Sequence, residues 1–203
     1  MKELLPLDES VLVFFHIKKT GGISLQRLIQ DRYPGKFYGN DHSALKRKIR
    51  VKKSEIEDIP NGSAVANHWT YDDFAHIKDR CNFVTIVRNP IDRIISAYNF
   101  YKKYSEEGNS FSSYINNNKN INIIIKTIKH LRNITEIYSL DSIKKDLNES
   151  SIFNSNDFLH TNRTTYSEIK GVYSYYPNRK ETKEFTDLNE EDINFCNGIF
   201  FKC

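Results

Sequence analysis

The chain has 203 residues, 38% hydrophobic and 13% aromatic, with 30 basic against 26 acidic side chains for a net charge of +4. That length suits a single domain, residues 1–203, with a buried core, and the mild charge admits an anionic ligand without marking a nucleic-acid binder. Cys81, Cys196 and Cys203 are scattered and odd in number, so neither a disulfide framework nor a metal site is expected, and a reducing compartment is.

The first ten residues, MKELLPLDES, lack the apolar core of a signal peptide, and no apolar run is long enough to cross a bilayer. A chain complete as given is therefore expected in the cytoplasm. Val11 to Phe15, VLVFF, is a continuous apolar run rich in β-branched and aromatic residues, which predicts a buried strand. Lys19-Thr20-Gly21-Gly22 interrupts it, and Ile23, Leu25, Leu28 and Ile29 resume at helical spacing. A strand, a two-glycine loop and a helix start make an anion-binding layout, because unpaired amides and the positive end of the helix dipole face the loop. An ordinary βα turn uses glycine in the same way. Lys19 and the hydroxyls of Thr20 and Ser24 tilt the reading towards phosphate.

Asp31 to Asn40 predicts a loop or short second strand, punctuated by Pro34-Gly35 and Gly39-Asn40. Asp41 to Asp58 has near-helical apolar spacing and ends at the turn Pro60-Asn61-Gly62. Its basic run, Lys46 to Lys53, reads as a solvated face. Ser63 to Asn67 predicts a short buried strand delivering His68 and Trp69, and Tyr71 to Lys78 a helical turn capped by Thr70 or Asp72. Asn82 to Val87 is the second clear strand. It runs through Arg88-Asn89 into a helix opened by Pro90, with Ile91, Ile94, Ile95 and Tyr98 at helical spacing. This β–α alternation predicts a mostly parallel sheet covered on both faces, with ligands beyond the carboxyl ends of the strands.

The second half reads as helical. Asn116 to Asn122 predicts a loop, Ile121 to Leu131 and Ile134 to Leu147 two helices, Asn148 to Asn156 a loop, and Phe158 to Asn162 an extended piece. Tyr166 to Lys183 reads as irregular, and Asn189 to Phe200 as a last helix preceded by Thr186. Neither an internal repeat nor a linker is visible.

In the second strand–helix unit, Arg88 stands at the strand end and Ser96 lies about two helical turns further on. A guanidinium fork and a hydroxyl on one edge suit a second phosphate, whereas Asp92 and Arg93 read as a surface pair. Two phosphate-type loops at two strand ends fit a nucleotide carrying phosphates at both ends.

HIKKTGGISL (16–25) resembles the HIPKTGGTSL-type loop of sulfotransferases that use 3′-phosphoadenosine 5′-phosphosulfate (PAPS). FVTIVRNPIDRIISAYNFY (83–101) is similar to their 3′-phosphate segment, R-[ND]-P-x-[DE]-R-x-x-S-x-Y. The likeness is greatest to carbohydrate O-sulfotransferases of the heparan-sulfate type and their small bacterial cousins. Weaker similarity runs through Asn67-His68-Trp69, Phe111 to Ile115 and Leu159 to Thr164. The resemblance implies an α/β, three-layer P-loop-NTPase-like sandwich with a helical C-terminal half. It implies PAPS as co-substrate, PAP as product, and a hydroxyl-bearing oligo- or polysaccharide as acceptor. Lys19 would stabilise the leaving phosphate, Thr20, Gly21, Gly22, Ile23 (by its amide) and Ser24 would hold the 5′-phosphate, and Arg88 and Ser96 the 3′-phosphate. Asn162 and Thr164, in a segment similar to H-x-N-x-[ST], would help close the cofactor or acceptor site. Lys18 replaces the usual proline and Ile23 a common threonine, which changes the loop's rigidity and removes a hydroxyl.

Among six histidines, His68 is the candidate general base for the acceptor hydroxyl, since imidazole is best tuned near neutrality. His16 reads as a packed core residue and His160 as part of the late segment. Trp69, Tyr173, Tyr175 and Tyr176 could stack on sugar rings or serve as core. Two other classes stay open. A P-loop nucleotide or sugar kinase would need G-x-x-x-x-G-K-[ST], and here the lysine precedes the glycines. A non-catalytic nucleotide- or glycan-binding relative would keep the fold alone.

Overall fold

The computed structural model describes residues 3–39, 48–104, 110–116, 122–127, 134–140, 142–153 and 175–200. In chain order these form β1 (Val11–Phe15), α1 (Gly22–Arg32), β2 (Phe37–Gly39), β3 (Ile49–Arg50), β4 (Ser63–Asn67) and β5 (Cys81–Val87), then α2 (Pro90–Tyr104), α3 (Phe111–Ile115), α4 (Ile123–Thr127), β6 (Glu136–Ser139), α5 (Ile143–Asn148), α6 (Arg179–Leu188) and α7 (Glu190–Phe200). Short 3-10 turns at Lys53–Asp58, Tyr71–Phe74 and Lys78–Arg80 fill the stretch around β4.

The strands make one six-stranded sheet in the order β3-β2-β4-β1-β5-β6, with every pairing parallel. All five residues of β1 and all seven of β5 are buried, as expected of strands covered on both faces. Val11, Val13 and Phe15 point to one side with Val65, Phe83 and Val87, under Phe74, Ile124 of α4 and Cys196 of α7. Leu12 and Phe14 point to the other with Ala64, Ala66, Val84 and Ile86, under Leu25, Leu28 and Ile29 of α1 and Ile143 and Leu147 of α5. This is the three-layer α/β arrangement that the alternation predicts. A satellite cluster of Ile94, Tyr98, Phe111, Ile115 and Phe185 joins α2, α3 and α6.

Register decides where the site lies. Phe15 is level with Asn67 of β4 on one side and Thr85 of β5 on the other, so the loops leaving β1, β4 and β5 emerge side by side. Buried polar groups hold the frame. Asn82 donates to the Leu5 carbonyl (2.9 Å) and Ser10 Oγ (2.8 Å) and accepts from the Leu5 amide (2.9 Å), tying the N-terminal segment to β5. Asp192 of α7 accepts from the amides of Ile124 (3.0 Å) and Ile125 (2.9 Å), capping the start of α4. Among the described residues no helix is long and apolar enough to cross a membrane.

Several local expectations change. Ile134 to Leu147 is not one helix, because its first part becomes β6. The open edge of β5 recruits it, with Thr135 donating its amide to the Phe83 carbonyl (2.7 Å) and accepting the Phe83 amide on its hydroxyl (3.2 Å). Glu136 is fixed there by Ser150 Oγ (2.6 Å) and the Ser151 amide (2.9 Å); sheet pairing overrides helical spacing in a segment rich in β-formers. The described part of Asp41 to Asp58 is β3 and a 3-10 turn, and that of Ile121 to Leu131 is α4. Tyr166 to Lys183 is not irregular to its end, since α6 begins at Arg179. Asn178 Oδ1 accepts from the Glu181 amide (3.0 Å) and Glu181 from the Asn178 amide (2.9 Å), a capping box legible as N-x-x-E. Asp92 and Arg93 do not form a surface pair: Asp92 is exposed, and Arg93 is 1% exposed beside Asp192.

Asn82→Ala is expected to cost on the order of 2 kcal/mol, because it removes three hydrogen bonds and strands their buried partners. Urea unfolding measures it, and an unchanged midpoint would contradict this account of the N-terminal clamp.

Candidate active site

Beyond β1 the chain runs through His16-Ile17-Lys18 into a tight loop. Thr20 is fully buried and its Oγ1 donates to the Ile17 carbonyl (2.8 Å), so the hydroxyl braces the loop and the amide is what Thr20 can offer an anion. Lys19 (φ 68°) and Gly21 (φ 81°) are both left-handed. For lysine that conformation costs about 1–2 kcal/mol, strain of the kind that collects at functional sites. A Cβ on Gly21 would lie 2.6 Å from Leu140 Cδ1, and one on Gly22 only 2.1 Å from His16 Cδ2. Both glycines therefore let the loop lie flush against its supports. α1 then begins at Gly22 with Ile23 half-buried and Ser24 buried, its first amides free of α-helical acceptors.

Lys19 comes close to β5's loop and helix. Its Nζ stands 4.0 Å from the centre of the Phe100 ring, a cation–π contact. Burial, and then the nearby Arg88 guanidinium, hold the Lys19 ammonium below the ordinary lysine pKa. Arg88 is half-buried, and its Nε is fully enclosed without a hydrogen-bond partner. Among the described residues neither cation has an acidic partner. Lys19 lies within the field of Arg88, whose Nε is an orphaned donor, and next to the start of α1, where the Ser24 amide turns back to the Gly21 carbonyl (3.2 Å); this concentration of positive charge fits a multiply charged anion. Ser96 is half-buried on α2, and Phe100 follows four residues later on the same face.

His68 leaves the end of β4 exposed, with Nδ1 2.5 Å from the His16 carbonyl. A carbonyl only accepts, so Nδ1 carries the proton and Nε2 keeps the lone pair of the neutral ring. The His68 ring stacks on that of His16 (centroids 4.7 Å, 27°), which stacks in turn on Phe14 (5.7 Å, 19°). Burial first, then His68 and Lys18, lower the His16 pKa from 6.5 to about 3.

The structure thus brings together Lys19, Thr20, Gly21, Gly22, Ile23 and Ser24 with Arg88, and links His68 to the loop through His16. Asn162 and Thr164, with His160, lie outside the described residues, as does Tyr173. Trp69 packs on Phe74 (5.8 Å). Tyr175 belongs to the α2–α3 cluster, its amide donating to Asn99 Oδ1 (2.8 Å), and Tyr176 is exposed. Sequence reasoning missed Phe100, whose signal was its spacing from Ser96; His16 is packed, as expected, against Phe14. Among the described residues no three His, Cys, Asp or Glu side chains are grouped to hold a metal ion.

His16 also sets a pH dependence. The folded chain holds it neutral down to about pH 3, whereas an unfolded histidine protonates near 6.5. Its contribution is complete above 6.5 and is lost as pH falls below that value, because the unfolded state then binds the extra proton. Relative to His16→Gln, the wild type should lose up to roughly 1 kcal/mol per pH unit between pH 6 and 4, measured by urea unfolding at each pH. A gap independent of pH would contradict the burial of a neutral ring.

A family model described as the sulfotransferase family matches residues 2–196. The crystal structure of a sulfotransferase from Alicyclobacillus acidocaldarius superposes with a TM-score of 0.56 at 12% identity, covering 98% of each chain. That of mouse sulfotransferase SULT7A1 complexed with PAP gives 0.47 at 15% identity, over 94% of this chain and 68% of that one. No curated protein matches. At such identities the structural likeness concerns the fold, and the family match, spanning nearly the whole length, carries the assignment: the chain belongs to the sulfotransferase family.

Proposed function

We propose that this chain moves the sulfuryl group of PAPS to a hydroxyl of a carbohydrate acceptor and releases PAP. One observation carries the reading: Lys19 lies within the field of Arg88, the two coming from loops after adjacent strands; neither has an acidic partner among the described residues, and Arg88 Nε is enclosed and unpaired. That pair, with the amides opening α1, suits a nucleotide bearing a 5′-phosphosulfate and a 3′-phosphate.

PAPS, when bound, supplies an already activated ester, so the protein's task is placement and charge stabilisation. The amides of Thr20, Gly21, Gly22 and Ile23 and the hydroxyl of Ser24 would hold the 5′-phosphate, and Arg88 with Ser96 the 3′-phosphate. Lys19 would neutralise charge growing on the phosphate oxygen as the sulfur–oxygen bond to it breaks. His68, through Nε2, would take the acceptor hydroxyl proton as that oxygen bonds to sulfur in line. The carbohydrate acceptor rests on the likeness of both motifs to carbohydrate O-sulfotransferases. Asn162 and Thr164 enter through their motif alone, as groups closing the cofactor or acceptor site.

Calorimetry should show adenosine 3′,5′-bisphosphate binding in the micromolar range, weakened at least about tenfold in Arg88→Ala. Radiolabelled PAPS presented with an oligosaccharide panel should label a hydroxyl acceptor, and Lys19→Ala should abolish transfer. His68→Ala should lower turnover by about 10²–10⁴ while leaving nucleotide binding intact. Absence of nucleotide binding would overturn the proposal, and tight binding without transfer to any acceptor would favour the non-catalytic relative.

A further inference from the structure

His16 makes contacts that no role as core filler requires. Its ring lies so close over Gly22 that a Cβ there would fall 2.1 Å from Cδ2 and 2.5 Å from Nε2. Its other neighbours are the Phe14 ring at 5.7 Å and the His68 ring at 4.7 Å, both near parallel. The same residue's carbonyl accepts the His68 Nδ1 hydrogen. Residue 16 therefore gives His68 a hydrogen-bond acceptor from its backbone and a flat face from its side chain, while that side chain touches the backbone that opens α1.

We infer that His16 is a positioning residue: its ring is a wedge between the phosphate-binding loop and His68, holding His68 in one orientation and one tautomer beside the loop. The inference deepens the reading of His68 as proton acceptor and rests on it. The wedge must be flat, because it is sandwiched between two rings, and it must stay uncharged, because His68 and Lys18 both act on it and burial disfavours a cation. It must also face a glycine. Gly22 is not among the left-handed glycines, so backbone freedom does not explain the residue there, whereas the ring of His16 does. Loop and wedge are thus mutually dependent: a methyl at 22 would push the ring, and the ring would push His68.

Two measurements decide this. The first follows the imidazole nitrogens of His68 by ¹⁵N NMR in the nucleotide-free protein. The wild type should show the Nδ1–H tautomer alone, and His16→Leu should show both tautomers in exchange, with kcat for transfer reduced roughly tenfold and the PAPS KM within about threefold. The second is a double-mutant cycle on binding of adenosine 3′,5′-bisphosphate. Gly22→Ala alone should weaken binding about tenfold or more, and His16→Ala combined with Gly22→Ala should recover most of that loss, since the ring that obstructs the methyl is gone. The cycle also serves if His16→Leu fails to fold. An unchanged His68 spectrum in His16→Leu, or a Gly22→Ala penalty equal in both backgrounds, would overturn the wedge. If instead His68→Ala transfers as fast as the wild type, the proton-acceptor reading falls, while the spectrum and the cycle still decide whether His16 positions His68.

Discussion

Two cations within one another's field, without an acidic partner among the described residues, are the constraint on which this site depends. Lys19 and Arg88 repel, and burial makes the repulsion harder to screen. A fold keeps such a pair only if the backbone leaves it little choice, and here the backbone does so. β1 and β5 are buried hydrogen-bonded neighbours in fixed register, so their loops emerge together. Thr20 locks the first loop through Ile17, and Lys19 is driven into the left-handed region. An anion between them would relieve the repulsion, satisfy Arg88 Nε and meet the amides of α1.

The supports for this arrangement lie behind the site. α2 opens at Pro90, two residues after Arg88, and carries Ser96 and Phe100, with Arg93 buried on it. That guanidinium is enclosed beside Asp192, Tyr114 and Cys196, with its Nε and Nη2 lacking hydrogen-bond partners. Burial pushes the Asp192 carboxyl up, opposed by the Ile125 and Ile124 amides and by Arg93. Asp192 acts on Arg93 through its field and accepts its hydrogen bonds from the Ile124 and Ile125 amides, so the enclosed guanidinium costs desolvation that no direct ion pair among the described residues repays. α7 packs against α2 and caps α4 through Asp192, so the C-terminal helix bears on the loop that carries Arg88 although it supplies none of the proposed contacts.

Much of this was legible from residues alone where local pattern and tertiary context agreed. VLVFF and NFVTIV could only be buried strands, and glycines after a strand with Lys19 before them could only be a tight loop. His68 was placed correctly at the end of β4. β6 was hidden because Ile134 to Leu147 carries helical spacing, and only the free edge of β5 makes a strand of its first part. Arg93 was misread as exposed because the elements that enclose it, among them the start of α7 with Asp192, are remote in sequence. His16 looked like core because periodicity registers burial and not which ring lies against it. Its partnership with Gly22 is a steric fact between a strand end and a helix start.

The account's central claim is that the paired cations await a phosphate-bearing nucleotide. The most direct test is the pKa of Lys19 itself, followed by NMR of ¹³C- and ¹⁵N-labelled lysine with and without saturating adenosine 3′,5′-bisphosphate. The account predicts a value below that of an ordinary lysine in the free protein and a rise when the nucleotide binds, as its negative charge offsets Arg88. A Lys19 that titrates like a surface lysine in the free protein, or whose pKa does not move on saturation, would contradict it.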